Sequence, residues 1–208
     1  MIIMNKISSV ILLIYLSSCT NLEFYDAFIS QTLNQFQSGN KLVTKDFYSS
    51  REYSFITVKI GNGDIFTMTL SRFNNGRARW VGSDGAVIET IYGKIVKMEN
   101  FLNDIELVGS NIPFNPQSAN SIFYFDFFKP KIYGIAITST LVNRRDVNFL
   151  RLDELHNFSE ITRRVEAKKI GFSTYNKYIL NEEGVTLATI QKVHPHVPEI
   201  EINFYFKY

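Results

Sequence analysis

Residues 53–98 read YSFITVKI GNG DIFTMTLSRF NNG RARWV GSDG AVIETI YG KIVKM, and this stretch decides the fold. Short runs rich in Ile, Val, Thr and aromatic residues alternate with turn segments at 61–63, 74–76, 83–85 and 92–93. Asn-Gly and Asp-Gly pairs supply the positive φ angles that tight hairpins need. Strands joined by such short turns are antiparallel neighbours, so the stretch predicts a five-stranded meander.

The same pattern continues to the C terminus. Residues 110–120, which carry Pro113 and Pro116, predict a long loop or a crossing between two sheets. A turn is expected at Arg144-Arg145-Asp146 and a hairpin at 181–184. Further strands are predicted at 121–128, 132–142, 161–169, 172–180, 185–193 and 199–206, and 101–109 and 147–152 are shorter candidates.

Alternating runs such as residues 199–207 have one apolar and one polar face. The apolar face must be covered by a second sheet or enclosed by curling the sheet. The predicted fold is therefore mainly β: an antiparallel meander of about eleven strands, forming a two-sheet sandwich or paired half-open barrels. An outer-membrane barrel fits poorly, because its strands need about ten residues each and a continuous lipid-facing band.

The N terminus has the pattern of a bacterial lipoprotein precursor. The apolar run at 7–15 has the length of a signal-peptide core and is too short to span a bilayer of roughly 30 Å. Leu16-Ser17-Ser18-Cys19 looks like the lipobox, in which the cysteine receives diacylglycerol before cleavage. We predict a signal peptide at 1–18 and a single β-rich domain at 19–208, anchored through lipid on Cys19. An uncleaved anchor helix is the alternative.

Two features next to Cys19 extend this prediction. Residues 21–38 predict an amphipathic helix, because Leu22, Tyr25 and Ile29 begin an apolar stripe at helical spacing. Thr20 stands where an Asp favours inner-membrane retention in enteric-type bacteria. We therefore expect an outer-membrane location, with the domain facing the periplasm.

The search for catalytic or cofactor chemistry is mostly negative. The net charge of +2 is spread along the chain, so no nucleic-acid partner is expected. His194 and His196 flank a proline and are two residues apart. They are compatible with a metal site, but a turn between two strands is favoured. No nucleophile elbow, HExxH helix or phosphate-binding loop is present. We predict no enzyme activity, no cofactor and no metal.

Trp80 is the only tryptophan and lies in a predicted hairpin. Its indole is expected to fill the core, and contact with a ligand or partner is the alternative, since an aromatic face can bind a sugar ring. A glycosidase would need two facing carboxylates, and no pair among the 20 acidic residues is singled out by its setting.

Several segments together resemble the YjbF-type lipoproteins, which are encoded with group 4 capsule and related exopolysaccharide genes. Residues 48–50, 80–86 and 88–97 match a strand, a Trp followed by Ser-x-Asp, an apolar strand and a Gly-Lys hairpin. Residues 176–185 and 190–195 match a C-terminal hairpin followed by a Gln-containing segment. The middle of the chain departs from this pattern, and the C-terminal hairpin has tyrosines where the family often has a tryptophan.

The resemblance implies a β-rich fold and an accessory role, as a scaffold or partner, in making or exporting surface polysaccharide. Its expected partners are the membrane, through the lipid anchor, and exopolysaccharide-secretion proteins or the polysaccharide itself. A carrier that binds a lipid or glycan in a half-open barrel is the second hypothesis. A polysaccharide-acting enzyme is the third.

Overall fold

The structure, a computed structural model, describes residues 43–112 and 114–207. Within these ranges one short α-helix, α1 (Lys45–Ser49), precedes twelve strands, and a 3₁₀ helix (Lys168–Ile170) joins the ninth strand to the tenth. Thr44 caps α1, since its hydroxyl accepts a hydrogen bond from the Phe47 amide. The strands are β1 (Phe55–Ile60), β2 (Phe66–Asn74), β3 (Arg77–Val81), β4 (Val87–Ile91), β5 (Lys94–Glu99), β6 (Ile105–Ser110), β7 (Asn120–Phe128), β8 (Lys131–Arg151), β9 (Glu154–Ala167), β10 (Phe172–Leu180), β11 (Thr186–Gln191) and β12 (Ile200–Tyr205).

The strands form one closed antiparallel barrel in which each strand pairs with its neighbours in sequence. The last strand closes the barrel by pairing with the first, from Phe55 opposite Tyr205 to Ile60 opposite Ile200. The predicted sandwich and paired half-open barrels are therefore wrong in architecture, although the mainly β, antiparallel meander is confirmed. Closure pairs the strand edges that an open sheet would leave exposed.

Strand alternation separates the interior of the barrel from its outer face. Along β12, Ile200, Ile202 and Phe204 are at most 1% exposed and join the interior core. On the other face, Tyr205 stacks on Phe55 with 4.8 Å between ring centroids. The aromatic residues of α1 pack against this outer pair, so the helix covers a patch that strand alternation would leave in water.

Opposite walls of the barrel touch across the interior. The side chain of Gln191 in β11 donates to the Gly93 carbonyl oxygen at 2.7 Å and accepts from the Ile95 amide at 3.1 Å. Nearby, the Thr186 hydroxyl donates to the Tyr92 carbonyl oxygen at 2.9 Å. Position 93 requires glycine, since its φ is +82° and an added Cβ would lie 2.4 Å from the Thr186 side chain. The barrel is therefore narrow where β11 faces the β4–β5 turn.

The β8–β9 hairpin extends beyond the barrel wall. The pairing of β9 with β10 ends at Ser159 opposite Leu180, while β8 and β9 stay paired as far as Arg151 opposite Glu154. We call residues 147–158 the arm. At its end, Arg151 donates to the carbonyl oxygens of Phe204 and Leu187. The arm is thus held against the outside of β11 and β12.

Three local predictions can now be judged. The turn expected at Arg144-Arg145-Asp146 is wrong: these residues continue β8, and the chain reverses at Leu152 and Asp153. Polar residues do not interrupt a strand whose side chains meet solvent, and all three are exposed. The loop near 110–120 is confirmed, but it joins neighbouring antiparallel strands and does not cross between sheets. The hairpin at 181–184 is also confirmed.

Candidate functional site

The predicted lipidation site, Cys19, lies outside the described residues, as do the signal peptide and the helix expected at 21–38. Within the described ranges, no helix has both the length and the apolar character needed to cross a bilayer.

Trp80 lies on the interior side of β3 and is 0% exposed. Its indole nitrogen donates to the Thr90 hydroxyl at 3.0 Å, and its ring packs edge-on against Phe204. The polar end of the indole is thereby satisfied inside an apolar core. Trp80 therefore fills the core, and in this structure its indole has no exposed surface for a ligand.

His194 and His196 lie in the connection between β11 and β12, where a turn was expected. His194 is 1% exposed, packs against Phe127 and accepts a hydrogen bond from the His196 amide through Nδ1. Its Nε2 atom is buried and has no partner among the described residues. Burial, with a smaller effect from His196, lowers the pKa of His194 to about 4. The described part of the chain holds no cluster of three or more residues suited to a metal ion.

Two cationic side chains are enclosed in the barrel interior. Lys94, at the start of β5, is 3% exposed, and its ammonium nitrogen lies 4.4 Å from the ring centroid of Phe123 and 5.4 Å from that of Phe114. A third ring, that of Phe125, has its centroid 5.7 Å from this nitrogen. Burial, together with nearby Arg163, lowers the pKa of Lys94 to about 7. The amine therefore lies against a cluster of aromatic faces.

The second buried cation, Arg163 in β9, fastens the loop between β6 and β7 to the barrel. Its guanidinium donates to the carbonyl oxygens of Pro116 and Ser118, at 2.8 and 2.5 Å, and to both oxygens of Ser139. Four charge-assisted hydrogen bonds compensate for the burial of this charge. The loop therefore has a fixed backbone on both sides of Gln117.

A cavity of about 270 Å³ opens beside this loop, and we call it the cleft. One wall is the base of the β8–β9 hairpin, which contributes Arg144, Asp146, Asn157, Phe158 and Ser159. The 181–184 turn contributes Asn181 and Glu182, and the β6–β7 loop contributes Gln117. Polar groups from three separate elements of the described chain converge on the cleft.

Several polar groups of the cleft are held in place before any ligand arrives. The Arg144 Nε atom donates to the Ser159 hydroxyl at 2.9 Å. The Asn181 side-chain oxygen accepts a hydrogen bond from the Val185 backbone amide at 2.8 Å. The side-chain nitrogen of Asn181 takes no part in this hydrogen bond. Such preorganisation lowers the entropy that binding would otherwise cost.

Comparison with known proteins assigns this fold to a family. The profile of the family described as "Group 4 capsule polysaccharide lipoprotein gfcB, YjbF" matches residues 31–204. The chain belongs to the YjbF family. A search of curated proteins found no match. The chain is also similar in structure to the hypothetical lipoprotein YmcC from Escherichia coli K12, with a TM-score of 0.62 and 14% identity over 81% of this chain and 91% of that one.

The cleft could not be predicted from the sequence. The sequence predicts a turn at 144–146, and it predicts no element over Asn157 and Ser159. Asn181 was correctly placed in a hairpin, but no pattern in the sequence brings that hairpin next to the base of the arm. Runs of exposed polar residues between apolar runs were the one available signal.

Proposed function

We propose that this protein is a lipid-anchored accessory component of capsule or exopolysaccharide production or export, acting as a scaffold or partner and not as an enzyme. The observation that carries the proposal is the match of residues 31–204 to a family of capsule polysaccharide lipoproteins. In this proposal, lipid on Cys19 holds the domain at the outer membrane, facing the periplasm.

The cleft supports binding more than catalysis. Its two carboxylates, Asp146 and Glu182, are both exposed to solvent. The general acid of a glycosidase is instead shielded by apolar surroundings that keep it protonated. An exposed pair among amide and hydroxyl groups is suited to hydrogen bonding with a ligand, not to proton transfer.

The carrier hypothesis gains little support from the interior of the barrel. Trp80, Phe123 and Phe127 are each at most 1% exposed, so no water-sized space adjoins them. A lipid tail in this region would have to displace core side chains, at a cost of several kcal/mol. The domain is therefore proposed to work through its outer surface.

A genetic experiment tests the proposed role. The gene would be deleted and restored as wild type or as Cys19→Ser, and surface-attached polysaccharide would be measured for each strain. We expect the deletion to lower the amount of polysaccharide, the wild type to restore it, and Cys19→Ser to lose lipid labelling, membrane retention and restoration together. A deletion strain with normal polysaccharide would refute the accessory role.

The non-enzymatic part has its own test. Purified protein would be incubated with the polysaccharide from the same bacterium, and chain length would be followed by size-exclusion chromatography. An unchanged elution profile is expected. Shortening of the chains that disappears in Asp146→Asn or Glu182→Gln would establish an enzyme.

A further inference from the structure

The cleft at the base of the arm has the composition of a sugar-binding site. Sugars present hydroxyl groups that donate and accept hydrogen bonds at once. Amide side chains can also do both, and Asn157 and Asn181 both line the cleft. Arg144 and Ser159 add a guanidinium and a hydroxyl from the hairpin that carries Asn157.

The described walls are built from elements that hold one another. Gln117 lies between the two carbonyl groups that Arg163 binds. The backbone amide of Gln117 donates to the Asn115 side-chain oxygen at 2.8 Å. Arg144 is fixed by Ser159 on the neighbouring strand. The polar groups therefore stand on two strands and an anchored loop, which is the rigid support a specific site needs.

Size and charge narrow the ligand. A volume of about 270 Å³ lies just below the range of roughly 300–1,000 Å³ seen for sites of drug-sized molecules, so a short stretch of a longer chain fits. Arg144 contributes one positive charge, and Asp146 and Glu182 contribute two negative charges. An excess of carboxylates repels acidic sugars and favours neutral or amino sugars.

We propose that the cleft binds a short segment of a neutral or amino-sugar-containing polysaccharide, with Arg144 and Asn157 as contact residues. This inference rests on the proposed function, because it names the ligand class that an accessory protein of polysaccharide production would hold.

Affinity electrophoresis of the full-length mature protein in detergent tests the assignment. The gels would contain surface polysaccharide purified from the bacterium that makes this protein. We expect the wild type to be retarded, and Arg144→Ala and Asn157→Ala each to weaken binding about five- to tenfold, the effect of losing one or two hydrogen bonds. The matched control is Arg164→Ala, an exposed arginine in β9 that pairs with Glu166 and is not part of the cleft.

Three results would overturn the inference. One is an unretarded wild type, and another is retardation that Arg144→Ala and Asn157→Ala leave unchanged. The third is equal retardation in gels of polygalacturonate, which would show non-specific attraction of a polyanion to the cationic side chains of the protein. The binding assay uses purified protein, so it is independent of the deletion strain. Normal polysaccharide in the deletion strain would refute the proposed role and leave the binding result unchanged. Failed binding would refute the sugar-binding cleft and leave the proposed role unchanged.

Discussion

Replacing Lys94 by Met should stabilise the barrel, although it removes a side chain that contacts several aromatic rings. Met matches the length of the lysine stem and carries no charge. In the folded state, burial lowers the pKa of Lys94 to about 7, whereas an unfolded lysine has a pKa of about 10.4. At neutral pH, folding must therefore either bury the charge or release a proton.

The size of the effect follows from proton linkage. Between pH 7 and pH 10 the unfolded chain binds a proton at Lys94 and the folded chain has mostly released it, so stability rises with pH in this window. The rise is about 2 kcal/mol from pH 7 to pH 9, and the total penalty below pH 7 is about 4 to 5 kcal/mol. Lost contacts with Phe123 and Phe114 offset part of the gain in Lys94→Met. We expect a net gain of about 2 kcal/mol at pH 7.

Urea denaturation followed by the fluorescence of Trp80 measures this gain, because Trp80 is the only tryptophan and is fully buried when folded. The matched control is Lys97→Met, in the same strand, whose ammonium is partly exposed and pairs with Glu99 and Glu106. It should change stability by less than about 1 kcal/mol, without the pH 7 to 9 dependence. The reasoning fails if Lys94→Met is less stable than wild type at pH 7, or if the difference between the two is the same at pH 7 and pH 9.

Two further predictions concern acidic pH. Burial raises the pKa of Glu89, but the hydrogen bonds and charges of Arg79 and Arg77 outweigh it and lower the pKa overall. Stability from Glu89 is thus present at neutral pH and lost as the pH falls below about 4.5, and Glu89→Gln should cost about 1 to 2 kcal/mol at pH 7 in urea denaturation, with a smaller difference near pH 3. The pKa of His194 lies near 4 in the folded state, so wild type should lose up to about 3 kcal/mol as the pH falls from 6.5 to 4. His194→Asn keeps an acceptor for the neighbouring amide and should lack this loss in thermal melts across the same range; an equal loss in both proteins would contradict the assignment.

Much of the fold could be predicted because many turns of this chain contain residue types that favour turns. Asn75 and Gly76 both have positive φ angles, as an Asn-Gly hairpin requires, and the chain reverses there as predicted. The reversal at Leu152 and Asp153 also uses two positive φ angles, but this pair is not one of the Asn-Gly or Asp-Gly pairs that predict a tight turn. The sequence therefore located the first turn and missed the second.

Closure of the barrel and assembly of the cleft were beyond reach for a different reason. The alternation along 199–207 indicates a strand with one covered face, and it is equally compatible with a sandwich. What decides between them is the pairing of Phe55 with Tyr205, a contact between the two ends of the described chain. Lys94 and Arg163 likewise read as surface residues in sequence, because no local pattern marks a charge that tertiary packing will bury.

Pairing of β1 with β12 also sets the order in which this protein can be completed. Until the residues near 205 have been synthesised, the first strand lacks one of its two neighbours and the barrel cannot close. Contacts between distant parts of a chain form slowly, because the intervening segment must first be brought together. A chain with this topology stays open during synthesis and closes only when its final strand has paired with its first. A truncation of a few residues at the C terminus should therefore do more harm than one of equal length in the arm.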